Sequence, residues 1–186
     1  SKDAFVAKYN AAGVLLAAKV IGGSGSEEGF ACSADAQGNV FVTGNSSSSN
    51  ILLDTISVTN PGSGTAAFLV KLNPSLITLW AKSVSSNDDD EGRGCSTDIY
   101  GNTVMTGVFT GSSISFDTTV LNNNGGEEIF LAKYDAEGNL FWAKKAGKSK
   151  DDGANDCFID NNGQILIAGY YNSSTLTFGS FNLDNS

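Results

Sequence analysis

"DAFVAKYNAAGVLLAAK", residues 3–19, returns as "AAFLVKLNPSLITLWAK" at 66–82 and as "EIFLAKYDAEGNLFWAK" at 128–144. Self-similarity at a fixed period marks a repeat architecture, in which each unit buries its apolar face against its neighbours. A second stretch repeats in step with the first: "GFACSADAQGNVFVTG" (29–44), "GRGCSTDIYGNTVMTG" (92–107) and "ANDCFIDNNGQILIAG" (154–169). Lys8 and Cys32, Lys71 and Cys95, and Lys133 and Cys157 all stand 24 residues apart, and Gly44, Gly107 and Gly169 follow the cysteines by 12. The 186 residues therefore read as one repeat region of three units of about 62, bounded 3–64, 65–126 and 127–186.

Within a unit the apolar period is two. Phe5, Ala7 and Tyr9 share one face, as do Phe68, Val70 and Leu72, which is the alternation of a pleated strand. A short turn ("NAAG", "NPSL", "DAEG") and a second apolar run complete a hairpin. A second hairpin follows through each cysteine. In its turn Asp35, Asp98 and Asp160 are placed to accept backbone amides, and Gly38, Gly101 and Gly163 to take the left-handed conformation. Its last strand is apolar on both faces (Val40, Phe41, Val42; Val104, Met105; Ile165, Leu166, Ile167), as in strands sandwiched between layers. Each unit ends in a short excursion such as "NILLDTISVTNPGSG". The expected class is all-β: β-propeller blades of four antiparallel strands, about three repeats, part of or assembling into a larger propeller.

These motifs resemble the bacterial β-propeller repeat known as the SBBP repeat, with the pattern "D-x-F-x-A-K-Y-D-x-x-G-N-x-x-W-A", an acidic glycine loop, and "D-x-x-G-N-V-Y-V-T-G". Unit one departs with Ala17 where Trp80 and Trp142 stand, and unit three with Gln164 for the turn asparagine and Ala154 for the loop glycine. The resemblance implies a piece of a large exported or cell-surface bacterial protein, with no enzymatic activity common to the family. It suggests a scaffold, adhesion or protein-interaction module of extracellular or cell-surface localisation. Three units fall short of the four to eight blades of closed propellers. Further blades of a longer chain, copies of this chain (two making six blades), or an open fibre would supply the rest.

Composition narrows the partners. Twenty acidic against 11 basic residues give a net charge of −9, which opposes nucleic acid and anionic membranes. No run approaches the 18 apolar residues of a spanning helix, so no membrane insertion is expected. Histidine is absent, removing the commonest general base and metal ligand. With no secretory leader before the first strand, an exported protein would be represented here by a mature or excised piece.

The candidate site residues repeat with the units. The acidic loops, Glu27–Glu28, Asp88–Asp89–Asp90–Glu91 and Asp151–Asp152, would gather on one propeller face. There they could hold Ca²⁺, the one cofactor considered, or a cationic partner. None matches the EF-hand spacing, and solvated loops that cap local amides are the plainer expectation. Catalysis by paired carboxylates is disfavoured because they recur in every unit. Trp80 and Trp142 could stack on a glycan, or pack between blades. Asp-Thr at Thr55 and Thr118 resembles a bacterial O-glycosylation acceptor, and Asn45 and Asn172 begin N-glycosylation sequons. The lysines of "AKY" and "WAK" would cover strand edges with their stems while the ammonium reaches water or a carboxylate. Cys32, Cys95 and Cys157 lack any C-x₂₋₄-C spacing. As equivalent positions on separate blades about 10 Å apart they are too distant for a disulfide, and they read as small buried hydrophobes of the core.

Overall fold

The computed structural model describes residues 1–160 and 162–185. Each unit supplies four long strands and two short ones. Unit one contributes β1 (Ala4–Tyr9), β2 (Leu15–Ile21), β3 (Glu27–Ala34), β4 (Val40–Ser46), β5 (Asn50–Leu53) and β6 (Ile56–Thr59). Unit two contributes β7 (Ala66–Leu72), β8 (Thr78–Val84), β9 (Asp90–Thr97), β10 (Thr103–Phe109), β11 (Ser113–Phe116) and β12 (Thr119–Asn122). Unit three contributes β13 (Glu128–Tyr134), β14 (Leu140–Ala146), β15 (Asp152–Ile159), β16 (Ile165–Tyr171), β17 (Thr175–Phe178) and β18 (Phe181–Asp184).

Blades straddle the units. One four-stranded antiparallel sheet runs β3-β4-β7-β8 and the next β9-β10-β13-β14, so each joins the second hairpin of one unit to the first hairpin of the next. The excursion predicted at each unit end is a small hairpin, β5–β6, β11–β12 or β17–β18, inserted between a blade's second and third strands. Among the described residues β1–β2 and β15–β16 form two-stranded sheets, equivalent to the outer and inner hairpins of a blade. The whole is an all-β array of propeller blades.

Register explains the repeated glycines. Gly44 stands opposite Phe68, and Gly107 opposite Phe130. On the other side each meets a bulge, where a Cβ at Gly44 would lie 1.8 Å from the Glu28 carbonyl oxygen and one at Gly107 the same distance from that of Glu91. No side chain fits that approach.

The core lies between blades. One cluster, including Leu69, Met105, Phe109, Phe116 and Phe130, fills the space between the two complete blades, and a second, including Ile21, Val42, Leu53, Phe68 and Leu72, lies between β1–β2 and the first blade. Both-sided burial holds for β4 and β10 but not for β16. Phe41 and Val104 are fully buried, whereas their equivalent Leu166 is 58% exposed. The strand is apolar on both faces, yet among the described residues it is bonded to β15 alone.

Candidate functional site

The acidic loops divide into two kinds of carboxylate. Glu27, Asp90 and Asp152 are equivalent and fully buried. Glu27 accepts from the Gly23 amide (2.7 Å) and from the hydroxyls of Ser46 (2.8 Å) and Ser48 (2.6 Å). Asp152 accepts from the amides of Lys148, Asn172 and Ser173 (3.0 Å each) and from the Ser173 hydroxyl (2.7 Å). Asp90 accepts from the amide and hydroxyl of Ser86. Each carboxylate thus fastens the loop preceding its strand, and Glu27 and Asp152 also reach the loop after the neighbouring strand. Burial pushes the Asp90 carboxyl up to about 7, against its hydrogen bonds.

One hydroxyl serves this clasp from either side. In unit one it comes from Ser48 opposite Gly23; in unit two Ser86 occupies the Gly23 position and Gly111 the Ser48 position. A Cβ at Gly23 would lie 2.4 Å from the Ser48 Oγ, and one at Gly111 2.4 Å from the Ser86 Oγ. The space holds one serine, whichever strand connection supplies it.

The other carboxylates face outward and are spent locally. Glu28 pairs with Lys2, and Glu91 with Arg93 at 2.8 Å. Asp89 accepts from the Thr65 amide (2.9 Å), Asp151 from that of Glu127 (3.1 Å) and Asp88 from that of Asp89 (3.0 Å). Among the described residues no three acidic or thiol groups converge as metal ligands would.

The thiols occupy one place in each unit but not one environment. Cys95 and Cys157 are buried and reduced, with Sγ 3.9 Å from the Phe41 carbonyl oxygen and 3.7 Å from that of Val104, each on the preceding blade. Burial pushes the Cys157 thiol up to about 12 and that of Cys95 higher. Cys32, expected in the core, is instead exposed. Cys95 and Cys157 are covered by β4 and β10 of the preceding blade, whereas among the described residues the hairpin before β3, β1–β2, pairs with no strand equivalent to these.

The tryptophans are likewise separated by context. Trp80 donates Nε1–H to the Ala136 carbonyl (3.0 Å), meets Phe41 edge-on at 5.9 Å, and covers Gly138, where a Cβ would lie 3.0 Å from the indole. Trp80 is thereby committed to packing between blades. Trp142, half-buried on β14, has the Lys144 Nζ over its ring at 5.9 Å. Where unit one carries Ala17 in place of tryptophan, Leu76 replaces the turn glycine of the following blade and is buried despite a left-handed φ of 60°. The two substitutions compensate in volume.

The turn residues are all engaged. Asp35, Asp98 and Asp160 each accept two amides two and four residues on, at 2.8–3.0 Å, and Gly38, Gly101 and Gly163 have φ of 78–85°. In the Asp-Thr pairs Asp54 and Asp117 are the left-handed residues of hairpin turns, φ 55° and 48°, where unit three has Gly179 at 60°. Asp54 meets Lys19 at 2.8 Å and Asp117 meets Lys82 at 3.7 Å, with Thr55 and Thr118 exposed at the tips. Asn172 is exposed, and Asn45 lies half-buried within β4. Lys71 departs from the expected solvated role: it is buried, and its Nζ donates to the Ala136 carbonyl at 2.8 Å.

Sequence reasoning missed Arg93, the chain's sole arginine. It links Glu91, Glu127 (3.8 Å) and the Tyr170 hydroxyl (3.3 Å), and Tyr170 donates to Glu127 at 2.6 Å. Its uniqueness, against Phe30 and Asn155 at the equivalent positions, was the available signal.

No family model matches the chain. Among curated proteins it is similar to the uncharacterized WD repeat-containing protein L264 of Acanthamoeba polyphaga mimivirus, 25% identical over 159 residues. The match covers 77% of this chain and 11% of that protein, so the chain spans about a tenth of its relative's length. Sequence similarity and blade architecture agree on a β-propeller type of repeat.

Proposed function

We propose that this chain is a non-catalytic propeller segment, a scaffold or protein-interaction module. One observation carries the reading: reactive side chains recur at equivalent positions and are consumed in holding blades and loops together. The buried carboxylates clasp loops, Trp80 locks two blades, and the turn aspartates cap amides. The similarity to a WD repeat-containing protein supports an interaction role. The resemblance to the SBBP repeat supports an exported bacterial protein acting at the cell surface, with adhesion as one use.

A glycan array and calcium calorimetry on the purified chain test this. The expected result is no glycan signal and no saturable calcium uptake. Glycan binding lost in Trp142→Ala would replace the reading with a carbohydrate-binding propeller, and calcium uptake lost in Asp88→Asn would make the acidic loops a metal site. A glycan mass on Thr55 or Thr118 would assign the turn tips as modification sites.

A further inference from the structure

Two equivalent junctions join outer hairpins to the blade that follows: β1–β2 meets the β7–β8 turn, and β7–β8 meets the β13–β14 turn. Both are fastened by the same polar hooks. Lys8 donates to the Pro74 carbonyl at 3.2 Å, and its equivalent Lys71 donates to that of Ala136 at 2.8 Å. Asp54, at the tip of β5–β6, meets Lys19 at 2.8 Å, and Asp117, at the tip of β11–β12, meets Lys82 at 3.7 Å. The hooks are of one chemistry, so they bring any turn to the same place without telling one blade from another.

One pair of positions does tell them apart. At the second junction Trp80 lies over Gly138, and a Cβ there would stand 3.0, 3.1 and 3.3 Å from three atoms of the indole. A larger side chain at position 138 has no room. At the first junction Ala17 holds the tryptophan position and Leu76 the glycine position. Leu76 is 4% exposed and packs in the cluster that Ala17 borders. It does so at φ 60°, a conformation that costs any residue with a Cβ. Glycine would relieve that cost but leave a leucine-sized void against Ala17. A buried residue held in the left-handed region, where the equivalent turns carry glycine at φ 76° and 84°, marks a position whose side chain is needed.

We propose that Ala17–Leu76 and Trp80–Gly138 are a size key by which each blade accepts its own successor and rejects the equivalent hairpin of another unit. Hairpins of similar sequence can stack out of order while a repeat chain folds, and mis-stacking is a characteristic failure of such proteins. With the keys as they stand, the leucine turn clashes with Trp80 and the glycine turn leaves Ala17 facing a void. The discrimination thus comes from a repulsive mismatch as well as an attractive match. The key acts whatever the segment binds.

Exchanging the keys tests the proposal in the 186-residue protein. Ala17→Trp with Trp80→Ala is one half-exchange, Leu76→Gly with Gly138→Leu the other, and each leaves both junctions mismatched. All four substitutions together move each matched pair intact to the other junction, and the strained leucine with it. In urea unfolding each half-exchange should raise the unfolding constant about a hundredfold or more, while the full exchange stays within about tenfold of wild type. Refolding is the second readout. As protein concentration rises, the half-exchanges should lose soluble yield faster than Phe68→Ala, which empties a core site but keeps both keys matched.

A half-exchange as stable as the full exchange overturns the proposal. So do half-exchanges that refold like Phe68→Ala, and a full exchange that folds but loses as much as the two halves combined. A full exchange too unstable to fold passes the decision to one junction. There, Trp80→Ala with Gly138→Leu should be more stable than Gly138→Leu alone, and additive losses overturn the key.

Discussion

The two complete blades and the two end hairpins are built from the same repeat, yet their equivalent residues live in different environments. Tyr9 and Leu183 are exposed at the ends, while Leu72 and Tyr134, and Val58 and Leu121, are buried in the middle. Cys32 is open where Cys95 and Cys157 are closed. Burial in this molecule is therefore a property of neighbouring blades rather than of the unit, as expected where stability is divided between repeats and their interfaces.

The sharpest way to break that comparison is to truncate one aromatic in both settings. Phe68→Ala should cost about 3–5 kcal/mol in urea unfolding, since it empties a fully buried site. Phe5→Ala, at an exposed position, should stay within about 0.5 kcal/mol of the wild type. Equal losses would show that the end hairpin is as packed as a blade.

Protonation gives the next effect. A folded carboxyl near pH 7 at Asp90 retains a proton that the unfolded chain releases near pH 4. The folded state thus binds more protons between those values, and stability should fall as pH rises through that window, by an amount on the order of 2–4 kcal/mol. Unfolding of Asp90→Asn followed from pH 4 to pH 7 should lose most of this slope; an unchanged slope would move its origin elsewhere.

A smaller contrast separates two turn glycines with the same backbone. Gly13→Ala should cost about 1 kcal/mol, from the left-handed conformation alone. Gly138→Ala should cost about 1 kcal/mol more, because its Cβ also meets the Trp80 indole at 3.0 Å. Matching thermal midpoints would mean that the indole shifts freely.

The mildest test is chemical. In the native chain iodoacetamide should modify Cys32 and spare Cys95 and Cys157, whose buried thiols resist ionisation. Full labelling of all three without denaturant would mean that the blades open readily.

Strand positions, hairpin turns, the aspartate–glycine turn pairs and the three-unit organisation were legible from residues 3–19 and 29–44 and their echoes, because period, turn chemistry and repetition are local signals. The acidic stretches, expected as loops, are only partly so: Asp88, Asp89 and Asp151 precede strands, whereas Glu27, Glu28, Asp90, Glu91 and Asp152 begin β3, β9 and β15. Their division into buried Glu27, Asp90 and Asp152 and outward Glu28, Asp89, Glu91 and Asp151 was not, since consecutive strand residues face opposite sides and only the packing shows which side is covered.

The sequence by itself determined an all-β repeat, with a strand break at each Asx turn and a glycine wherever a carbonyl approaches a strand too closely for a Cβ. Tertiary structure decided the rest: that blades straddle the units, that Ser86 replaces Ser48 in one clasp, that Trp80 answers Gly138 while Ala17 answers Leu76, and that Arg93 joins Glu127 and Tyr170. Apart from the bond of Ser86 to Asp90, four residues on, these partnerships join residues more than twenty positions apart. A two-residue period cannot encode such pairs, because which side chains meet depends on how one blade stacks on the next.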